Sequence, residues 1–217
     1  MDSLIERLRA VQVSSLCDAD KGLPVVDPAI RAMVPGLSFA GPAFTLLAYD
    51  DHLPMLGALR AAEPGSVLVV ATNSLKKAVS GELFATEAQR RGMAAIVIDG
   101  YCRDLRGLRR IGLPVHARGT TPMSGTTRDP GTFGREVLLG RVRVAPGDLV
   151  VGDDDGIAVA PRGRFEAAID AAEEIERAEK ALLAGMAAGR ELHGMTNVDE
   201  HLAALARDEP SSLAFRV

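Results

Sequence analysis

Gly81-Glu82-Leu83-Phe84 and, further along, Ile96-Val97-Ile98-Asp99-Gly100-Tyr101-Cys102-Arg103-Asp104 read as a loop entering a helix, then a strand, then a loop carrying an Arg-Asp pair. The apolar run Ala94 to Ile98 has the length and β-branched content of a buried strand. The segment Gly81 to Gly92 has helical spacing and ends on Gly92 as a stop signal. Arg103 and Asp104 therefore emerge at the strand's carboxyl end, the edge at which open α/β sheets form ligand crevices.

Working outward, Ala43 to Ala48 and Ser66 to Ala71 are short apolar strands separated by a helix-like piece over Leu53 to Ala61. Strand, helix, strand, helix through Ile111 implies parallel pairing by right-handed crossovers. Beyond Pro114 the pattern changes to a Gly, Thr and Pro stretch, Gly119 to Gly134. Closely spaced strands follow at Glu136 to Val144, Asp148 to Val151 and Ile157 to Ala160, punctuated by Pro146-Gly147-Asp148 and Asp153-Asp154-Asp155-Gly156. A layered α/β sandwich around a mixed central sheet fits this better than a purely doubly wound sheet. Residues 3 to 20 read as one amphipathic helix, with Leu4, Leu8, Val11 and Ser15 on one side and Gly22-Leu23-Pro24 ending it. Residues 163 to 190 read as a long helix with Ile169, Ala172, Ile175 and Glu176 at helical spacing, either packing on a neighbouring subunit or covering the sheet. The organisation predicted is one α/β domain over residues 1–195 and a tail, 196–217, with a short helix Val198 to Arg207 and a poorly ordered Pro210-Ser211-Ser212.

A chain of 217 residues, 47% hydrophobic and 25% charged, supports one sizeable core. Without tryptophan and with 4% aromatics, that core must be aliphatic. A net charge of −4 with scattered Arg and Lys leaves no footprint for nucleic acid. The charged start, Met1 to Leu8, is no signal peptide, and no run approaches the ~18 apolar residues of a membrane span. Two cysteines, Cys17 and Cys102, fit a reducing cytoplasm.

Several features have a structural reading beside a chemical one. Arg103, Arg106 and Arg110 share a helical face that could attract an anionic substrate or simply be solvated. Cys102 beside Arg103 is either an activated thiol or a small buried filler. Asp153-Asp154-Asp155 reads as a turn rather than a metal cluster, because three consecutive carboxylates on an extended chain cannot all face one ion. His52, His116, His193 and His201 lack zinc-ligand spacing, and His116 reads as structural. An Arg-Asp pair after a strand is more often a surface ion pair, and Glu82 alone is a favourable acid in a helix's first turn. As an anion site, however, the free N–H groups of that turn suit a carboxylate, and Gly81 permits close backbone approach.

The spacing Glu82-x20-Arg103-Asp104 resembles the family of 4-hydroxy-4-methyl-2-oxoglutarate aldolases, which also contains the RraA-like regulators of RNase E. Asp18-Ala19, Gly41-Pro42-Ala43-Phe44-Thr45, Pro64-Gly65-Ser66-Val67-Leu68-Val69-Val70, Pro146-Gly147-Asp148 and Gly152 to Pro161 resemble that family's blocks, in its order, over roughly residues 10 to 165. The resemblance implies a single-domain α/β/α sandwich similar to the phosphohistidine domain, assembled as a homotrimer or hexamer. It implies a class II aldolase that releases pyruvate from 4-hydroxy-2-oxo acids and decarboxylates oxaloacetate. Both reactions need a stabilised enolate, from a lysine Schiff base or a divalent metal. The lysines are only Lys21, Lys76, Lys77 and Lys180, none on the motif strand, which favours Mg²⁺ or Mn²⁺. By the resemblance Asp104 holds the metal, Arg103 binds the pyruvyl portion, Glu82 holds a metal-associated water as base or proton relay, and Gly81 with the amides of Leu83 and Phe84 meets the substrate carboxylate. Members without the first acid are the non-catalytic regulators of an RNA-processing enzyme, the alternative role. Two departures stand out: Asn73 where an acid is common, and Thr120 to Arg135, which aligns poorly. No Gly-rich loop suggests a nucleotide-like cofactor.

Overall fold

Val67-Leu68-Val69-Val70-Ala71 is buried at every position, as a strand covered on both faces must be. In the computed structural model, which describes residues 2–72 and 76–216, it is one strand of a mixed sheet; Asn73 lies outside the described residues. The chain begins with α1 (Ser3–Ala10), α2 (Val13–Ala19), β1 (Arg31–Ala32) and β2 (Phe39–Leu47). It continues through α3 (Leu53–Ala61), β3 (Val67–Ala71), β4 (Ala78–Ser80), α4 (Glu82–Arg90), β5 (Ala95–Cys102), α5 (Leu105–Ile111) and β6 (Val115–Thr120). The second half holds β7 (Thr132–Phe133), β8 (Val137–Leu139), β9 (Val142–Val144), β10 (Leu149–Gly152), β11 (Ile157–Ala160), α6 (Arg162–Ala187) and α7 (Val198–Ala206).

Strands β2, β3, β5 and β6 lie side by side in chain order and pair in parallel, as the crossover pattern predicts. Antiparallel β10 and β11 extend the sheet beyond β2, and β1 closes its other edge against β6. Helices form two outer layers, but the sheet between them is not flat. Alternate residues of β3 and β5 divide between two clusters: Leu68, Val70, Ile96 and Ile98 pack under α3, α4 and α5, while Val67, Val69 and Val97 meet Val137, Leu139, Val150 and Val159. The opposite face of β10 and β11, with Leu149, Val151 and Ala158, packs on α1, α2 and α6. The sheet therefore curls until its two halves face each other. Strand β2 contributes Leu46, Phe39 and Ala40 to the three clusters, which makes the core continuous in one α/β domain.

Three local expectations need correction. The helix predicted over residues 3–20 is two helices, because Glu176 takes the N–H of Gln12 at 2.6 Å and Asp153 that of Val13 at 2.8 Å. Those distant carboxylates cap a fresh helix start and turn the chain at Val11-Gln12. The stretch Glu136 to Val144 is not one strand but the β8–β9 hairpin, turning at Gly140 and Arg141, both with positive φ. The Pro210-Ser211-Ser212 segment is tied down. Asn197 Nδ2 donates to the Ser212 carbonyl at 3.0 Å, His201 Nδ1 meets Ser211 Oγ at 2.9 Å, and Phe215 bridges to Thr196.

Candidate active site

Strand β5 outruns β3: its last partner there is Asp99 opposite Ala71. Beyond that point β4 takes the vacated side, pairing Ala78 with Tyr101 and Ser80 with Cys102. Arg103 N–H donates to the Ser80 carbonyl at 3.0 Å. This register makes Gly81-Glu82 and Arg103-Asp104 leave the sheet side by side, so the two halves of the motif meet although twenty residues separate them in sequence.

Asp104 adopts the left-handed conformation, φ 62° and ψ 40°, at the start of α5. Short acids tolerate that region better than most residues, at some cost in strain. Its carboxylate does not cap its own helix. Instead Oδ2 accepts the Glu82 N–H at 3.2 Å and lies 3.4 Å from Arg103 Nε. Gly81 is extended, with φ −166°, so its need for glycine is spatial. A β-carbon there would stand 2.4 Å from Asp104 Oδ2 and 3.0 Å from Arg103 Cγ. The close approach Gly81 permits is thus to the Asp104 carboxylate.

Among the described residues no acceptor stands opposite the N–H of Leu83 or Phe84, in the first turn of α4. These groups, with the helix dipole behind them, remain available to an anion. Leu83 is exposed, whereas Phe84 is half-buried with its ring 5.9 Å from His52. Arg103, Asp104, Leu105, Thr120, Thr121 and Pro122 line a cleft of about 350 Å³. A larger groove of about 600 Å³ beside α6 is lined mainly by apolar side chains such as Leu182, Leu183, Met186 and Phe215; its charged lining, Asp18 and Glu179, includes no guanidinium. The side chains of Arg103 and Asp104 are roughly two-fifths exposed, accessible to a ligand while framed by protein.

The wall formed by Thr120 to Pro122 belongs to a segment held by Asp51, which sequence reasoning missed. Asp51 is fully buried, and its Oδ2 accepts from Thr126 Oγ1 at 2.6 Å, Arg128 N–H at 2.7 Å and Asp129 N–H at 3.0 Å. Oδ1 accepts from Leu53 N–H at 2.8 Å. Burial alone would raise this acid's pKa, but the hydroxyl and backbone donors outweigh it and hold the carboxyl far below its usual range. The same segment bonds to β4 through Ala78, both as donor to Met123 and as acceptor from Gly125. Thr120 to Arg135 is thus fastened to the strand that delivers Glu82.

The remaining candidates are structural. Asp153 caps α2 and closes its own turn, accepting from Asp155 and Gly156, and Asp154 accepts the Gly36 N–H with both oxygens. His116 is buried away from the cleft. A carbonyl can only accept, so His116 Nε2 carries the proton it donates to the Asp153 oxygen at 2.9 Å, and burial pushes the ring's pKa down. Cys102 is no activated thiol: burial pushes it up to about 12. Of the arginine cluster, Arg110 does reach the site, donating to Glu82 Oε1 at 2.7 Å. Its signal in the sequence was only the shared face with Arg103.

Comparison with known proteins shows the family and the fold. The family model RraA-like (Aldolase/RraA) matches residues 13–159. A protein of Halalkalibacterium halodurans named "Putative 4-hydroxy-4-methyl-2-oxoglutarate aldolase" is 31% identical over 179 residues, 82% of this chain and 85% of that one. Among solved structures, an uncharacterised protein from Pseudomonas syringae pv. tomato superposes with a TM-score of 0.80 at 24% identity, covering 89% of this chain and 96% of that one. RraAS2 of Streptomyces coelicolor, described as an unusual member of the RNase ES inhibitor RraA family, gives 0.72 at 30% identity over 83% of this chain and 95% of that one. Among the described residues no helix is long and apolar enough to cross a membrane.

Proposed function

Since the chain belongs to the RraA-like (Aldolase/RraA) family, we propose that it is a carbon–carbon lyase that releases pyruvate from 4-hydroxy-2-oxo acids of the 4-hydroxy-4-methyl-2-oxoglutarate type, and that it decarboxylates oxaloacetate. The observation that carries this reading is the bond from the Glu82 N–H to the Asp104 carboxylate, beside the Arg103 guanidinium and the cleft that Arg103 and Asp104 line. The donor chemistry fits a divalent cation. Asp104 offers a hard carboxylate at the cleft, and among the described residues no cluster of three His, Cys, Asp or Glu competes with it. Mg²⁺ is commonly held by one or two carboxylates and keeps several waters, so Asp104 is the residue to hold Mg²⁺ or Mn²⁺. When bound, the ion supplies the Lewis acidity that draws electron density toward the substrate's 2-oxo group.

The chain's own groups do the rest. Arg103 presents a planar guanidinium to the pyruvyl oxygens and offsets the negative charge that grows there. Leu83 and Phe84 N–H, beside Gly81, receive the substrate carboxylate. Glu82 holds a water that takes the proton from the 4-hydroxyl. The C3–C4 bond then breaks, C4 becomes a carbonyl, and the bonding pair stays on C3 as the enolate of pyruvate, which is protonated at C3. In oxaloacetate the same bond breaks with carbon dioxide leaving, and the same enolate forms. This reading extends to a homotrimer or hexamer working in the cytoplasm on a small oxo acid, without nucleic acid or membrane, and to a fold of the phosphohistidine-domain type.

The test is pyruvate release from 4-hydroxy-4-methyl-2-oxoglutarate and from oxaloacetate, coupled to lactate dehydrogenase, after chelation and on return of Mg²⁺ or Mn²⁺. Metal-restored pyruvate is expected with both substrates, and the ratio of rates identifies the main activity. Silence with both substrates and both metals overturns the reading in favour of a non-catalytic regulator that binds an RNA-processing enzyme, the role carried by the name of the Streptomyces relative.

A further inference from the structure

Helix α5 carries a glycine, Gly107, at its third position, where alanine would favour the helix more. The neighbouring space accounts for it. A β-carbon on Gly107 would stand 2.3 Å from Glu82 Cδ, 2.3 Å from Oε2 and 2.7 Å from Cγ. The Glu82 side chain therefore lies against bare backbone of α5, while Arg110, one turn further along the same helix, takes its other oxygen. One contact sets how near the carboxylate approaches α5, and the other sets its rotation. Folding stability does not explain the pair. The Arg110 and Glu82 side chains are 65% and 40% exposed, and ion pairs that open to solvent contribute little.

We propose that Gly107 and Arg110 are positioning residues that fix the Glu82 carboxylate for proton transfer. The proposal rests on the reading of Glu82 given above and adds to it that α5 is shaped for the longer acid. The length of glutamate carries Oε1 to Arg110 while its Cγ, Cδ and Oε2 lie over Gly107. An added methyl at 107 can be accommodated because Glu82 is flexible, but only by swinging its carboxylate out of place.

The full chain is compared with Gly107→Ala, Arg110→Ala and Arg110→Lys. Gly107→Ala is expected to melt at or above the wild-type temperature and to bind Mn²⁺ as the wild type does. Its kcat for pyruvate release is expected to fall by about tenfold to a hundredfold with KM little changed, the scale of a misplaced catalytic group. Arg110→Ala loses less, and Arg110→Lys recovers part of that loss. A crystal structure of Gly107→Ala should show the Glu82 carboxylate away from Arg110. Wild-type kcat in Gly107→Ala overturns the proposal, as does a lowered melting temperature with kcat preserved in the folded fraction. If the wild-type chain itself releases no pyruvate, the functional reading fails, and the crystal structure decides the clamp: an unmoved Glu82 carboxylate overturns it.

Discussion

Replacing Asp104 with asparagine is expected to lower metal-dependent kcat/KM for pyruvate release by about a hundredfold to a thousandfold, the scale on which a preorganised charge at a reacting centre is lost. The melting temperature should hardly move. The Asp104 side chain is 42% exposed, and its partners are the Glu82 N–H and the Arg103 guanidinium. Asparagine keeps an oxygen for the Glu82 N–H and tolerates the left-handed backbone at φ 62°. Alanine does neither, and at that φ it adds strain of about 1–2 kcal/mol. The asparagine variant therefore separates charge from shape. Mn²⁺ binding followed by electron paramagnetic resonance should weaken together with turnover. Undiminished turnover in a folded Asp104→Asn chain would sink the assignment of Asp104, and a large fall in melting temperature would recast it as a structural cap.

Much of this site was legible because its parts are local. Ala95 to Cys102 is a buried strand with an abrupt polar end, and Gly81 to Gly92 bears the marks of a helix with an acid in its first turn. Parallel order follows from alternation, and alternation is written along the chain. What the sequence could not express is pairing between distant segments. Nothing near Val11-Gln12 signals a break, since the break is made by Glu176 and Asp153 from the far end of the chain. The curl of the sheet depends on which face of β10 meets β3, and an apolar strand buried on both faces leaves that choice open. Gly107 lies inside helix α5, and the reason for a glycine there is the side chain of Glu82, from a different helix.

Asp51 is the extreme case of a residue silent in sequence, and its replacement is expected to cost the most stability. Asp51→Ala leaves the N–H groups of Leu53, Arg128 and Asp129 and the Thr126 hydroxyl without their buried acceptor. Hydrogen bonds to a buried charge are worth about 1.5–3 kcal/mol each, and neighbours recover part through water, so a loss of about 3–5 kcal/mol in urea unfolding is expected. Asp51→Asn should lose less. Its single oxygen can occupy the place of Oδ2 and serve three donors, leaving only its amide facing the Leu53 N–H. The native carboxyl titrates below the unfolded one, so its contribution is fully present above the unfolded pKa near 4 and fades as pH falls toward the native value. The wild-type chain should lose stability steeply below about pH 4, and Asp51→Asn should lose it with a shallower slope. Because Asp51 fastens the segment carrying Thr120 to Pro122, both variants should also exchange amide hydrogens faster over residues 121–131. They should release pyruvate more slowly while still binding Mn²⁺ at Asp104. Unchanged exchange in that segment, with stability lost elsewhere, would show that the cleft wall is held by its bonds to β4 and not by the buried carboxylate.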